Sequence, residues 1–173
     1  MSSIRTMKRN PTYNSRYLIV KKYLDRYGIT VAKWMPYDNG DNVEYLADMD
    51  QYRVWIPFPV DDFSFYICMH EIGHIVTGHR SYAYLQEVAA EQYAIRKSKQ
   101  YKMYDKSFDR EAREYVRVTI AEDVLFRGLD PKRINRDTLR WVGRNPIGVR
   151  NDAIKMARKF RKTESAHTRT LLQ

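Results

Sequence analysis

The chain has 173 residues, 43% of them hydrophobic, and a formal net charge of +10 from 31 Lys and Arg against 21 Asp and Glu. That is enough apolar material for one cored domain, with or without an appendage, and no apolar run approaches the roughly 20 residues that span a bilayer. The N-terminal Met1-Ser-Ser-Ile-Arg-Thr-Met-Lys-Arg lacks the apolar centre of a secretion signal, and the single cysteine, Cys68, excludes an intrachain disulfide and fits a reducing, cytoplasmic compartment.

Residues 1–12 read as a basic tail ending at Pro11. Asn14 to Tyr27 reads as a helix, with Tyr17, Leu18, Val20, Tyr23 (or Leu24) and Tyr27 apolar and Gly28 as its stop. Ile29 to Met35 is a predicted strand. The cluster Asp38-Asn-Gly-Asp-Asn marks a turn. Val43 to Ala47 and Tyr52 to Ile56 then read as a hairpin across Asp48-Met-Asp50. Pro57 and Pro59 end its second strand or mark it as an edge. An edge strand there could pair with an extended peptide, although a plain structural hairpin reads the same way.

The next helix, Phe65 to Gly78, carries the most informative residues of the chain. His70-Glu71-Ile72-Gly73-His74 spells H-E-x-x-H. Positions i and i+4 share a helix face, so His70 and His74 can grip one metal ion. Glu71 lies about 100° round the helix from His70, within reach of a water on that metal. Cys68, Ile72, Ile75 and Val76 form an apolar stripe on the other side. A packing role for Cys68 follows.

A catalytic zinc takes a third protein ligand and keeps one position for water. A turn over His79 to Tyr84 leads to a helix over Leu85 to Arg96, where Glu87 and Glu91 are i and i+4. Ala83, Ala90 and Ala94 flank that face and would let two helices approach closely. Glu87 is the expected third ligand, with Glu91 accepting from a ligand imidazole N–H; the reverse assignment also fits the spacing. Thr77 and Arg80 stand where a longer signature with a third histidine would need Gly and His. His79 is therefore a helix-end residue favourable near the negative end of the dipole. His79, Tyr82 and Tyr84 are the candidates for contacting the transition state.

The run His70-Glu-Ile-Gly-His-Ile-Val-Thr-Gly-His79, followed by Glu87-x-x-Ala90-Glu91-x-Tyr93-Ala94, resembles the ImmA/IrrE family of zinc metallopeptidases, which are minimal thermolysin-like zincins. The resemblance covers roughly residues 15 to 95. Glu91 stands where the family often has Asn, and Tyr93 where it has Phe. The resemblance implies Zn2+ held by His70, His74 and Glu87, with Glu71 as catalytic base. It also implies an origin in a phage or mobile element, acting in the host cytoplasm or associated with a virion.

Further on, Ser107 to Arg127 reads as a long helix. Pro131 to Trp141 and Asn151 to Phe160 read as two more, joined by Gly143-Arg-Asn-Pro-Ile-Gly148, a long connector for a helix-turn-helix. Arg161 to Gln173 reads as a loose polar tail. Charge divides the chain: residues 1–94 hold 10 Lys and Arg against 11 Asp and Glu, and residues 95–173 hold 21 against 10. Arg133, Arg136, Arg140, Arg144, Arg150, Lys155, Arg158 and Lys159, with Trp141 among them, form a positive field. It suits a nucleic-acid backbone, an acidic protein surface, or a plain solvated face.

The expected architecture is α+β. A zincin-like core over 13–98 would comprise an N-terminal helix, a small antiparallel sheet and two metal-binding helices. A basic helical region over 99–162 would pack on it, followed by a tail over 163–173. The expected function is a zinc-dependent endopeptidase acting on a specific protein, localised by its basic half to nucleic acid or an acidic partner. The alternative is a catalytically silent zinc-site protein that binds nucleic acid or serves phage assembly.

Overall fold

The computed structural model describes the backbone of residues 11–37 and 44–171 and the side chains of residues 15–37 and 44–160. It is an α+β protein, mostly helical, with a small three-stranded sheet. No helix among the described residues is long and apolar enough to cross a membrane. The chain divides into two compact units, Met1–Ser81 with Leu85–Asp109, and Tyr82–Tyr84 with Arg110–Gln173.

In the first unit, helix α1 (Pro11–Tyr27) buries Val20, Tyr23 and Leu24. Gly28 ends it at φ +64, a conformation costly for any residue with a Cβ. There the Ile29 N–H reaches back to the Leu24 carbonyl at 2.9 Å, which satisfies one of the helix's free carbonyls. Three strands follow: β1 (Thr30–Met35), β2 (Leu46–Asp48) and β3 (Arg53–Pro57).

The sheet is mixed, which corrects the expected antiparallel one. Its order is β1-β3-β2, with β3 antiparallel to β2 and parallel to β1. The hairpin from β2 reverses the chain, so β3 enters beside β1 running the same way. Of the two readings of Pro57, the strand end holds and the edge does not, because β3 is the central strand. Pro57 is tolerated because it is the last residue of that strand, where a missing N–H costs no internal ladder bond. Val54 and Ile56 of β3 are fully buried. The expected turn at Asp38–Asn42, the Val43 end of the hairpin and most of the N-terminal tail lie outside the described residues.

Helix α2 (Asp62–Thr77) begins with a reciprocal cap: Ser64 N–H donates to Asp61 Oδ1 at 2.7 Å, and Asp61 N–H donates to Ser64 Oγ at 2.9 Å. Such a cap stabilises a helix by about 1 kcal/mol. Phe65, Cys68, Met69, Ile72 and Ile75 are buried, and α2 packs against α1, β2 and β3. Each such side chain contributes about 1.5–3 kcal/mol on burial. The Cys68 thiol is buried and donates to the Pro57 carbonyl at 3.2 Å, so α2 is tied to the central strand, as a packing cysteine would be. Arg16 of α1 pairs with Asp62 at 2.6 Å. Helix α3 (Ala83–Gln100) runs further than expected and buries Ala90, Tyr93, Ala94 and Ile95.

Helix α4 (Lys106–Phe126) leads into the second unit, whose core holds Val116, Ile120, Leu139, Val142, Val149 and Ala153. Asp123 is fully buried there. It accepts from the Tyr84 backbone N–H at 2.9 Å and from Arg127 at 2.5 Å, which satisfies the charge.

Three expectations for this half are corrected. The segment Pro131 to Trp141 is two elements, a 3-10 turn at Pro131–Arg133 and α5 (Arg136–Trp141). Asn135 breaks them by taking an extended ψ of 133° and accepting from the Asp137 N–H at 2.7 Å. The final helix, α6 (Pro146–Leu171), starts five residues earlier than read from the pattern and runs through the supposed loose tail. Pro146 suits a first helical position, and between Phe160 and Leu171 no Gly or Pro interrupts the helix.

Candidate metal centre

The metal-ligand candidates come from the facing sides of α2 and α3. His70 and His74 are one turn apart on α2, and their Nε2 atoms stand 3.1 Å apart. Glu87 Oε2 from the first turns of α3 lies 3.3 Å from His70 Nε2 and 3.5 Å from His74 Nε2. Together these three side chains form a group that can hold a metal ion. All are mostly buried, at 12%, 11% and 15% exposure.

The triangle fits zinc. Ligands about 2.0–2.1 Å from a tetrahedral ion stand about 3.3 Å from one another, close to the three separations here. The orphaned atom points the same way. Glu87 Oε2 is buried with no hydrogen-bond partner of acceptable angle, a costly arrangement unless a cation completes it.

Small residues set this distance between helices. A Cβ built on Gly73 would meet Ala90 Cα and O at 3.1 Å and Tyr93 Cβ at 3.3 Å. Ala90 and Ala94 are fully buried, whereas Ala83 is only partly covered.

Electrostatics divide the carboxylates. For Glu87, burial alone would raise the pKa. Attraction to the imidazoles of His70 and His74 outweighs it and brings the group down to about 2. His74 shows the complement: burial lowers its pKa, but Glu87 and then Glu71 raise it further, leaving it above 6.5. Glu71 is 7% exposed. Burial raises its pKa, His70 and His74 hold it down in part, and Glu87 pushes it up again. A carboxylate raised in this way is a stronger base than an ordinary one and can return the proton it takes.

Glu91 lies behind the His70 ring. Its Oε1 is 3.4 Å from His70 Nδ1, and its Oε2 accepts the Tyr66 hydroxyl. Of the two glutamates on α3, Glu87 faces both Nε2 atoms and Glu91 faces the far nitrogen of one ring. Tyr66 is 5% exposed and packs on Phe108 at 4.8 Å between centroids. Sequence reasoning missed it, although Tyr66, His70 and His74 are spaced i, i+4 and i+8 along one face.

Of the candidate transition-state contacts, His79 is turned to another partner. His79 is 62% exposed and bonds through Nε2 to Asp50 at 2.9 Å, in the β2–β3 turn. Gly78 ends α2 with its N–H on the His74 carbonyl, so His79 has already left the helix that carries His70 and His74. Tyr82 and Tyr84 belong to the second unit, where their rings stack 6.1 Å apart and Tyr84 is buried.

Arg133, Arg136, Arg140, Arg150, Lys155, Arg158 and Lys159 are exposed on that unit. Arg140 pairs with Asp137 at 3.0 Å and Arg144 with Asp152 at 2.6 Å.

No protein-family model matches the chain, and neither a curated protein nor a solved structure does.

Proposed function

We propose that the protein is a zinc-dependent peptidase of the ImmA/IrrE kind, with a zincin-like first unit. The observation that carries the proposal is the triangle of His70 Nε2, His74 Nε2 and Glu87 Oε2, with sides of 3.1, 3.3 and 3.5 Å. A zinc ion bound there would polarise a peptide carbonyl and acidify a water in its fourth position.

The chain's own residues supply the rest. Glu71 takes the proton of the attacking water and returns it to the leaving amine. Its burial beside two imidazoles favours an enzyme over a silent zinc site, because a purely structural centre has no use for a base. Glu91, 3.4 Å from His70 Nδ1, would orient that ring, and the Tyr66 hydroxyl donates to Glu91. The strand position for an extended peptide is the outer edge of β2, which packs against α2; β3 is paired on both sides.

The test is a proteome-wide cleavage screen with the zinc-loaded wild type and with Glu71→Gln. The proposal expects at least one target cut by the wild type, with cleavage lost and zinc retained in Glu71→Gln. Cleavage that survives the substitution would remove Glu71 from the mechanism. A fully zinc-loaded protein with no target would favour the non-enzymatic alternative.

A further inference from the structure

The second unit carries a two-helix element that the metal centre does not use. Helix α5 ends at Trp141 and α6 begins at Pro146, so the turn is only Val142 to Asn145. Each residue of that turn has an evident job. Gly143 takes φ +63, and its N–H donates to Arg140 O at 3.1 Å while Arg144 N–H donates to Leu139 O at 2.9 Å. That pair of bonds closes a helix end sharply. Asn145 then opens α6, its Oδ1 accepting from Gly148 N–H at 2.7 Å, with Pro146 in the first helical position.

The turn is also clamped from outside. Arg117 of α4 donates from Nε to the Val142 carbonyl at 2.5 Å, and Arg144 bridges to Asp152 of α6 at 2.6 Å. Leu139, Val142, Val149 and Ala153 are buried at the junction. Two short-linked helices held this firmly present a fixed outer face.

That face belongs to the start of α6. Ile147, Arg150, Asn151, Ile154, Lys155 and Arg158 are all exposed, Ile147 by 72% and Ile154 by 42%. Helical spacing gathers them on one side, opposite buried Val149 and Ala153. Between Arg144 and Lys162 there are seven Lys and Arg and one carboxylate, Asp152, which is already spent on Arg144.

We infer that α5, the turn and α6 form a helix-turn-helix that seats the first turns of α6 in the major groove of duplex DNA. The chemistry of the face matches what that groove offers. Arginine reads guanine, asparagine reads adenine, and an isolated aliphatic side chain meets a thymine methyl. Arg158 and Lys155 lie further along and serve the phosphates. An acidic protein partner would want a continuous apolar centre, whereas here each isoleucine is set among polar and cationic neighbours. The deep, narrow major groove of A-form RNA does not admit a helix. The inference is independent of the peptidase reading, and its test needs no cleavage.

The test is fluorescence anisotropy of the full chain against a mixed-sequence DNA duplex of about 24 base pairs, the matching RNA duplex, and polyglutamate, across a salt series. The variants are Arg150→Ala with Arg158→Ala, and, as a charge-matched control on α1, Lys21→Ala with Lys22→Ala. We expect DNA to be preferred. The α6 pair should weaken binding at least tenfold and flatten the slope of log K against log salt by about 1, the share of the phosphate contact at Arg158, and the α1 pair should change affinity less than twofold. Selection from a random duplex library should enrich a motif that Asn151→Ala loses. The inference is overturned if DNA is not bound at about 50 mM salt, if polyglutamate or the RNA binds as tightly, or if the α1 and α6 pairs lose affinity equally.

Discussion

Gly73 on α2 faces Ala90 on α3 so closely that a single added Cβ would stand 3.1 Å from Ala90 Cα and from its carbonyl oxygen. The candidate ligands His70 and His74 lie on the same helix as Gly73, and Glu87 lies less than a turn before Ala90. Spacing at this contact therefore sets spacing at the ligands. Gly73→Ala should push the helices apart by a few tenths of an ångström, because the opposing atoms are backbone. We expect a loss of about 1–3 kcal/mol in stability and a zinc affinity at least tenfold weaker, read by thermal unfolding and chelator competition. An unchanged zinc affinity would mean that the helix contact does not govern the ligand triangle.

The pair behind His70 has a separable effect. Glu91→Ala removes the carboxylate that faces His70 Nδ1 and should cost about 10–100-fold in zinc affinity. Tyr66→Phe leaves the ring against Phe108 and deletes only the hydroxyl that donates to Glu91. Its effect on zinc should have the same sign and be smaller. Titration with a competing chelator ranks the two, and a larger loss for Tyr66→Phe would reverse the order of support argued here.

Proton competition gives a third expectation. His74 has a pKa above its ordinary 6.5. Zinc must displace that proton, so log K should rise by about one for each pH unit through 6.5 and flatten only above it. Glu87, held near 2, stays ionised throughout and adds no such dependence. For chelated protein the sign reverses. A raised histidine contributes stability that is present below 6.5 and lost as pH rises through the folded value. Glu71 has the same sign, its share falling as pH rises from its ordinary 4.5 through the raised folded value. Thermal unfolding from pH 6 to 8.5, with zinc and with chelator, should give curves that diverge as pH rises. Parallel curves would show that His74 does not exchange a proton for the metal.

How much of this was legible in the sequence follows from how local each signal is. His70, His74 and Glu71 lie within five residues, so helical geometry alone joins them, and Gly28 and Gly78 punctuate helices that need no distant partner to define their ends. Glu87 could be paired with them because Ala90 and Ala94 announced a close helix contact. The sheet order was not legible, because whether β3 lies at an edge depends on where β1 pairs, across a segment of connecting chain. Residues 131–150 were misread for a different reason. Asn135 and Asn145 act as caps, and each was absorbed into the neighbouring helix or loop, which hid the short turn between α5 and α6. His79 and Tyr82–Tyr84 are near the ligands in sequence, but the chain leaves α2 at Gly78 and carries His79 to Asp50.

The most direct test of the central claim is the metal content of the purified protein, by elemental mass spectrometry, beside that of Glu87→Ala. The account predicts one equivalent of zinc in the wild type and less than a tenth of that in Glu87→Ala, with circular dichroism of the variant still helical. A wild type that takes up no zinc, or a Glu87→Ala protein that keeps its full equivalent, would contradict the ligand triangle on which the proposed chemistry stands.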